Sequence, residues 1–459
     1  MSLFAAWSSI ASHLKYACVQ AEYEGLVVPE DLRSRAEALD ESADLFEAPE
    51  AHAVFEALQD LERDPAFGYE QPDDLEGIRS LRPPGPRQLE MDLPENELLD
   101  RLHGAWTGRS CGCALGKPVE GISLIHQGRL RIRKYLQDRD QWPLDFYFSA
   151  EPRDGDEHPI NPQDPAAREN LRYMPPDDDI HYALMGLHIL EKHGADFHWR
   201  HVANAWNQCL PFAAIWTAEA MAIINYNLRN VRGSKEIVPS PFWTARHNNP
   251  YREWIGAQIR ADGWAYCAAA DPELAAEFAW RDAHWTHTAN GIYGEMFMAA
   301  MIAAAFVVDD PTELVRIGLS EIPANCRLAE AVEDALQWTG ECADMETFME
   351  RIEADYGDLH PVHTVNNAMI CVAALFFGEM DTAKAICTAV MGGLDTDCNG
   401  ATVGSIVGAV SGYDAYSDTF KAPLNDTIKP QMFGFEEVRM SELARRTLAV
   451  REQIAERRA

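Results

Sequence analysis

Positive charge is scarce in this chain. Lys and Arg together number 39 against 73 Asp and Glu, which leaves a formal net charge of −34 over 459 residues. A surface of this sign repels phosphate backbones, so the composition excludes nucleic acid as a partner. Most of the excess acid is expected on solvated faces, where it needs no further explanation.

The sequence also lacks a disulfide pattern, a secretion signal and a membrane span. Its ten cysteines are scattered without the spacing of a disulfide scaffold, which predicts a reducing, cytoplasmic location. The first 25 residues contain no basic n-region, so no signal peptide is expected. The most apolar run, residues 291–308, includes Glu295 and is expected to form a buried core helix, so no membrane partner is predicted.

Alternating strand patterns are missing as well. Long stretches rich in Ala, Leu, Ile and Met repeat with helical spacing after a proline-rich connector near residues 81–97. These features predict an all-α fold. We place a domain boundary at the connector, so that residues 1–95 form a helical extension of unknown role and residues 96–459 form the main domain.

One short stretch, GGLDTDCNG, begins like an EF-hand calcium loop. Asp395, Asp397, Asn399 and Gly400 match its first six positions. That loop requires a bidentate Glu at its twelfth position, and Ile406 stands there instead. The calcium-loop interpretation therefore fails, and the two aspartates need another explanation.

A second acidic cluster, Asp177, Asp178 and Asp179, directly precedes another helical pattern. Two like charges about 4 Å apart repel by on the order of 4 kcal/mol at an effective dielectric of 20. One interpretation is helix capping, in which each cluster acts independently. The other is a shared cation site of carboxylate oxygens, which suits Mg²⁺, Mn²⁺ or Ca²⁺ and, with two clusters, two ions.

Glycines at four-residue spacing, from Gly400 to Gly412, follow the aspartates Asp395 and Asp397. They lie on one face of the predicted helix, where a second helix can approach closely. This places the two aspartates at the end of a buried helix. The residues alone leave the cation site and the two capping clusters as open alternatives.

Three separated motifs resemble the signature regions of the ADP-ribosylglycohydrolase superfamily. They are GAWTGRSCGCALGKPVEG (104–121), PPDDDIHYALMGLHILEKHG (175–194) and GGLDTDCNGATVGSIVGAVSG (392–412). The resemblance covers roughly residues 100–450, so residues 96–459 are expected to be the catalytic domain. It implies an orthogonal all-α bundle with two Mg²⁺ ions, or Mn²⁺ in their place, that hydrolyses the bond at the anomeric carbon of an ADP-ribosyl ribose.

The resemblance also implies roles for individual residues. By position, the implied metal ligands are Asp177, Asp178, Asp179, Asp395 and Asp397, with Asp397 bridging the two ions. Glu120 falls on the family's glutamate beside the metals and is expected to contact substrate. Glu120, Asp178 and Asp397 are the expected catalytic residues, since a neighbouring carboxylate can take the proton from an activated water. His287, in THTANG, and Arg260 are expected to bind substrate.

Several positions depart from the family pattern. Ile180 and Cys398 stand where the family has threonines after its aspartate pairs, and Cys113 replaces an aspartate of the first motif. The glycine-asparagine-glycine substrate loop is replaced by residues 249–266. Four nearby tryptophans could each stack on a base or serve as a core aromatic: Trp254, Trp264, Trp280 and Trp285.

These departures favour an N- or O-ribosidic bond in an ADP-ribosyl compound or related riboside over a protein-linked group. Free nucleosides or other small ribosides are the close alternative. A non-catalytic ADP-ribose-binding or structural relative is the alternative of another class.

Overall fold

The computed structural model describes residues 10–39, 49–229 and 240–458. Four helices come first: α1 (Ile10–Tyr23), α2 (Glu30–Glu37), α3 (Pro49–Gln59) and α4 (Leu75–Leu81). The central helices are α5 (Glu95–Gly116), α6 (Glu120–Ser123), α7 (Gly128–Gln137), α8 (Asp178–His193), α9 (Trp199–Cys209), α10 (Thr217–Arg229), α11 (Pro241–Arg246), α12 (Ala261–Cys267), α13 (Pro272–Ala283) and α14 (Ala289–Ala305). The last group is α15 (Pro311–Leu319), α16 (Arg327–Glu341), α17 (Met345–Asp355), α18 (Thr364–Phe377), α19 (Thr382–Gly392), α20 (Thr396–Ser411), α21 (Asp418–Lys421) and α22 (Met440–Arg458).

Extended structure is confined to one short pair within the described ranges. Strand β1 (Thr427–Ile428) pairs antiparallel with β2 (Val438–Arg439). The prediction of an all-α fold is confirmed, because the apolar positions recur with helical spacing through nearly all of the described chain.

Helix α14 lies in the middle of the main core. Each of its residues is buried, Glu295 included, and it packs against α12, α13 and α15. This is the core helix expected for the apolar run at 291–308. None of the helices in the described ranges combines the length and hydropathy needed to cross a bilayer.

Helices α5 and α20 are packed in unusually close contact, and this contact positions the candidate site. Both carry glycine every fourth residue along the shared face: Gly104, Gly108, Gly112 and Gly116 on α5, and Gly400, Gly404 and Gly408 on α20. A Cβ added to Gly112 would lie 1.9 Å from the carbonyl oxygen of Gly400, so only glycine permits this approach. The end of α5 thereby meets the start of α20, which brings the first and third motifs together.

The N-terminal helices have a small core of their own. Its buried members come from α1, α2 and α3: Leu14, Ala17, Cys18, Ala21, Leu32, Ala36, Ala51, Val54, Phe55 and Leu58. Helix α4 belongs instead to the main core through Ile78. The domain boundary near residue 95 stays a prediction.

Candidate active site

The first acidic cluster is built at the start of α8. Asp177 is the N-cap, and its Oδ1 accepts a hydrogen bond from the backbone N–H of Asp179 at 3.0 Å. Its Oδ2 accepts from the Lys117 ammonium at 2.5 Å. Burial opposes ionisation of Asp177, but the Lys117 charge outweighs it and holds the pKa of this carboxyl below its ordinary value.

The second cluster is built at the start of α20. A turn with positive φ at Gly393 and Leu394 ends α19 and leads directly to Asp395. The side chain of Asp395 makes no capping bond, and the Oδ1 atoms of Asp395 and Asp397 are buried without a hydrogen-bond partner among the described residues. Burial and the neighbouring charges raise the pKa of Asp395 well above its ordinary value and that of Asp397 to about 6.

Glu120 begins α6, one helical turn after Lys117. The negative charge of Asp397, followed by burial, raises the pKa of the Glu120 carboxyl well above its ordinary value. In Asp178, burial and the charges of Asp177 and Asp397 have the same effect on the pKa. In both groups, burial and the neighbouring negative charges favour the protonated form of the carboxyl.

The clusters open on one cavity of about 410 Å³, a size within the range of small-molecule sites. Six carboxylates line it: Glu120, Asp177, Asp178, Glu219, Asp395 and Asp397. Lys117 is the only Lys or Arg among the lining residues that the structure describes. The cavity thus concentrates acid with little built-in counter-charge.

These residues fit a hard divalent cation. Three groups of potential ligand atoms each lie within 4.8 Å of one another: Asp177, Asp178 and Asp179; Asp395, Asp397 and Cys398; and Cys113, Asp177 and Asp397. Carboxylate oxygens are the ligands that Mg²⁺ and Mn²⁺ prefer. The orphaned Oδ1 atoms of Asp395 and Asp397 point to a missing partner of opposite charge. Capping accounts for Asp177 but leaves these oxygens unexplained.

Asp179 lies behind the cavity rather than on its lining. Its Oδ1 accepts from Arg109 Nη2 at 3.1 Å, and its Oδ2 accepts from the Cys398 thiol at 3.1 Å. Arg109 also donates to Asp262 and to backbone carbonyls, so it is fully engaged. Both oxygens of Asp179 are thus partnered, and it is the one predicted metal ligand absent from the described cavity lining.

Arg260 and His287, predicted to bind substrate, are also absent from the described cavity lining. Arg260 is 1% exposed and donates to Glu219 at 2.6 Å and to Asp282 at 2.5 Å. His287 is fully buried, and its Nε2 lies 3.7 Å from Glu219. Of these two contact residues, Glu219 lines the cavity. Arg260 and His287 therefore reach the cavity through this carboxylate.

Three cavity residues were not singled out by the sequence. Lys117 lies inside the first motif, where its position one turn before Glu120 was an available signal. His181 follows the first cluster, and its Nε2 accepts from the backbone N–H of Gln431 at 2.9 Å. Glu219 comes from α10, far from any motif, and burial raises its pKa to about 7. No local pattern marks His181 or Glu219.

The remaining lining includes the segment that replaces the family's substrate loop. Trp254, Ile255 and Gly256 lie on the cavity surface together with Val362. Trp254 is the only one of the sequence's four candidate stacking tryptophans on the described lining. Trp264 and Trp285 are fully buried core side chains.

Comparison with known proteins gives a consistent result. A family model described as ADP-ribosylglycohydrolase matches residues 94–456. A solved structure titled ADP-ribosylglycohydrolase-related protein complex is similar at 18% sequence identity and a TM-score of 0.48, covering 78% of this chain and 99% of that chain. No curated protein matches the sequence.

Proposed function

The chain belongs to the ADP-ribosylglycohydrolase family, and we propose that it is a metal-dependent hydrolase of the N- or O-ribosidic bond in an ADP-ribosyl compound or related riboside. The family is hydrolytic and acts on ADP-ribosyl compounds. One observation carries the proposal: six carboxylates line a cavity in which Lys117 is the only Lys or Arg of the described lining. Such a cavity is suited to a bound cation, which can in turn orient a substrate.

Two Mg²⁺ ions, or Mn²⁺ in their place, would be held by the two acidic clusters. The proposed ligands are Asp177, Asp178, Asp179, Asp395 and Asp397, with Asp397 shared between the ions. When bound, the ions supply counter-charge, fix ribose hydroxyls and lower the pKa of a bound water. Asp179 would bind a metal ion more weakly than a free carboxylate, because Arg109 and Cys398 already donate hydrogen bonds to its oxygens.

Glu120 is the proposed proton acceptor. Hydrolysis breaks the bond from the anomeric carbon to the leaving group and forms a bond from that carbon to a water oxygen. Glu120 takes the proton released by the water and returns it to the leaving group. A carboxyl whose pKa is raised toward neutrality is suited to both transfers. Asp178 and Asp397 hold the negative charge that stabilises a positively charged transition state at the ribose.

The other wall of the cavity would bind the rest of the substrate. Glu219 can accept hydrogen bonds from substrate hydroxyls, and Trp254 offers an aromatic surface to a base. Arg260 and His287 would act as positioning residues that hold Glu219. Because the sequence at 249–266 departs from the pattern of the family's substrate loop, we expect weak activity on protein-linked ADP-ribosyl groups and better turnover of a smaller riboside.

A riboside screen tests the substrate assignment. ADP-ribosyl compounds, free nucleosides and an ADP-ribosylated protein are incubated with the enzyme and Mg²⁺, and free ribose or ADP-ribose is measured. Turnover of small ribosides above that of the modified protein supports the proposal. Efficient removal of ADP-ribose from the protein would contradict the substrate assignment, and binding of ADP-ribose without turnover of any compound would favour the non-catalytic alternative.

Asp397→Asn tests the metal assignment. Asparagine keeps the volume but removes the charge shared between the two ions, so we expect Mg²⁺ affinity and turnover to fall by on the order of 100-fold. Asp381→Asn is the matched control: Asp381 caps α19 by accepting from two backbone N–H groups, and asparagine caps equally well. Isothermal titration with Mg²⁺ and circular dichroism compare both variants. Unchanged Mg²⁺ affinity in Asp397→Asn would count against a shared ligand.

A further inference from the structure

Two segments hydrogen-bonded to each other form the wall of the cavity that carries Trp254. The backbone N–H of Ile255 donates to the carbonyl of Val362 at 2.8 Å, and that of Thr364 donates to the carbonyl of Glu253 at 3.1 Å. Trp254, Ile255, Gly256 and Val362 all line the cavity. We call residues 249–256 and 358–364 the Trp254 wall.

The Trp254 ring is fixed from behind by aromatic rings, one of which belongs to the N-terminal helix α1. Trp254 stacks on His360 at 4.1 Å between centroids and meets Tyr251 edge-on at 4.7 Å. Tyr16 of α1 packs against Trp254 and against His360, each at 5.2 Å and close to perpendicular. The Tyr16 hydroxyl also lies 3.3 Å from His360 Nε2.

Polar contacts continue along the same face of α1. His13 lies 3.0 Å from the Tyr251 hydroxyl and 2.7 Å from the carbonyl of Asn248. Gln20 donates to Glu253 at 3.0 Å. About one turn further along, Glu24, directly after the helix, accepts from Arg252 Nε at 2.7 Å and from its Nη2 at 2.9 Å.

These contacts recur every three or four residues, at positions 13, 16, 20 and 24, which is one helical face. An adjacent set, at positions 14, 17, 18 and 21, packs into the small core with α2 and α3. Helix α1 therefore packs one face against α2 and α3 and contacts the Trp254 wall with another. The proposed chemistry of the acidic clusters does not depend on the contacts between α1 and the Trp254 wall.

We propose that the N-terminal extension is part of the active site, in which Tyr16 acts as a positioning residue that holds Trp254 in the cavity wall. The extension thereby sets affinity for the part of the substrate that contacts this wall and leaves the acidic clusters unaffected. This role concerns the geometry of the wall and goes beyond the proposed reaction.

The test compares Tyr16→Ala with Tyr16→Phe and with Leu32→Ala, all in the full chain. Leu32 lies in the small core on α2, away from the Trp254 wall, so its truncation loosens the extension alone. The affinity for ADP-ribose in the presence of Mg²⁺ is measured by isothermal titration. We expect Tyr16→Ala to weaken binding by roughly two- to tenfold, the value of one aromatic pair, while the other two variants bind like wild type.

Two further measurements separate this inference from the proposed function. Adding Tyr16→Ala to Trp254→Ala should produce no further loss of affinity, because the effect of Tyr16 passes through Trp254. Amide hydrogen exchange at residues 254, 255 and 364 should quicken in Tyr16→Ala and stay unchanged in Leu32→Ala. If wild type fails to bind ADP-ribose, this result counts against the proposed function. The exchange rates then test the role of Tyr16 on their own. Equal exchange in Tyr16→Ala and wild type would overturn the role of Tyr16.

Discussion

The carboxylates around Arg260 and those around the cavity are similarly buried, but they differ in counter-charge. Arg260 lies within 3.5 Å of Glu219, Asp282 and Glu295, so one guanidinium serves three acids. In the cavity, the one salt bridge described for Lys117 is to Asp177. The comparison indicates that every acid of the Arg260 cluster has a guanidinium within ion-pair distance, whereas most acids of the cavity lack a described cationic partner and need protons or added cations to balance their charge.

The same comparison separates structure from chemistry. A buried acid that is paired with an arginine inside the core has a structural role, because removing either partner leaves a buried charge without a counter-charge. A buried acid with an orphaned oxygen on a cavity surface, as in Asp395, is available to a ligand. Glu219 belongs to both groups, because it pairs with Arg260 and also lines the cavity.

Removing Arg260 is expected to have the largest effect. Arg260→Met leaves Glu219, Asp282 and Glu295 buried without their shared partner, so we expect the free energy of unfolding to fall by about 3–5 kcal/mol. Arg316→Met is the control, since Arg316 forms an exposed pair with Glu333 that should contribute no more than about 1 kcal/mol. Denaturant unfolding measures both. Equal losses in the two variants would remove the distinction between the clusters.

The pH dependence of Glu219 comes next. Its folded pKa of about 7 lies above the ordinary 4.5, so between these values the folded state keeps a proton that the unfolded state releases. The contribution of Glu219 to the free energy of unfolding is therefore fully present below pH 4.5. As the pH rises to 7, this contribution is lost, by up to about 3 kcal/mol. Glu219→Gln should lack this loss. Urea unfolding from pH 4.5 to 8 in EDTA compares the two proteins, and parallel pH curves would contradict the assignment.

Metal bound at the cavity cluster should stabilise the folded protein by an amount similar to or smaller than the effect of Glu219. Binding to the folded state alone adds about 2.7 kcal/mol at a hundredfold excess of Mg²⁺ over its Kd. Melting temperatures with EDTA and with Mg²⁺ or Mn²⁺ measure this, after prolonged chelation has removed any trapped ion. Asp397→Asn should abolish most of the difference and Asp282→Asn, in the Arg260 cluster, should retain it. A response lost equally in both variants would argue against a site at the cavity.

Cys398→Thr should have the smallest effect. The Cys398 thiol donates to Asp179, and a threonine hydroxyl can do the same, so the free energy of unfolding should change by less than about 1 kcal/mol. If residue 398 contacts the ion, the harder oxygen should tighten Mg²⁺ binding severalfold. Titration calorimetry decides this. Unchanged affinity would show that the side chain at 398 is no ligand.

Much of the fold and half of the site follow from local sequence. Helical periodicity predicts the all-α fold, and the glycine spacing after Asp397 predicts the close helix contact that α5 supplies. The second half of the site depends on distant packing. Glu219 enters the cavity because α10 is carried there by the fold, and Arg260 is withdrawn from it because three acids surround its guanidinium. The positions of these two side chains depend on packing across the whole core, so a short stretch of sequence cannot predict them.

The close packing of α5 against α20 has a consequence for how the protein is made. Helix α5 begins at residue 95 and α20 ends at residue 411, so the cavity joins early and late parts of the chain. During synthesis, Glu120 and the first acidic cluster emerge long before Asp395 and Asp397. At about 5–20 residues per second, the ribosome adds Asp395 and Asp397 roughly 10–45 seconds after Asp177. The acidic cavity is therefore assembled among the last features of the domain, and a nascent chain lacks it until nearly all of the domain has been synthesised.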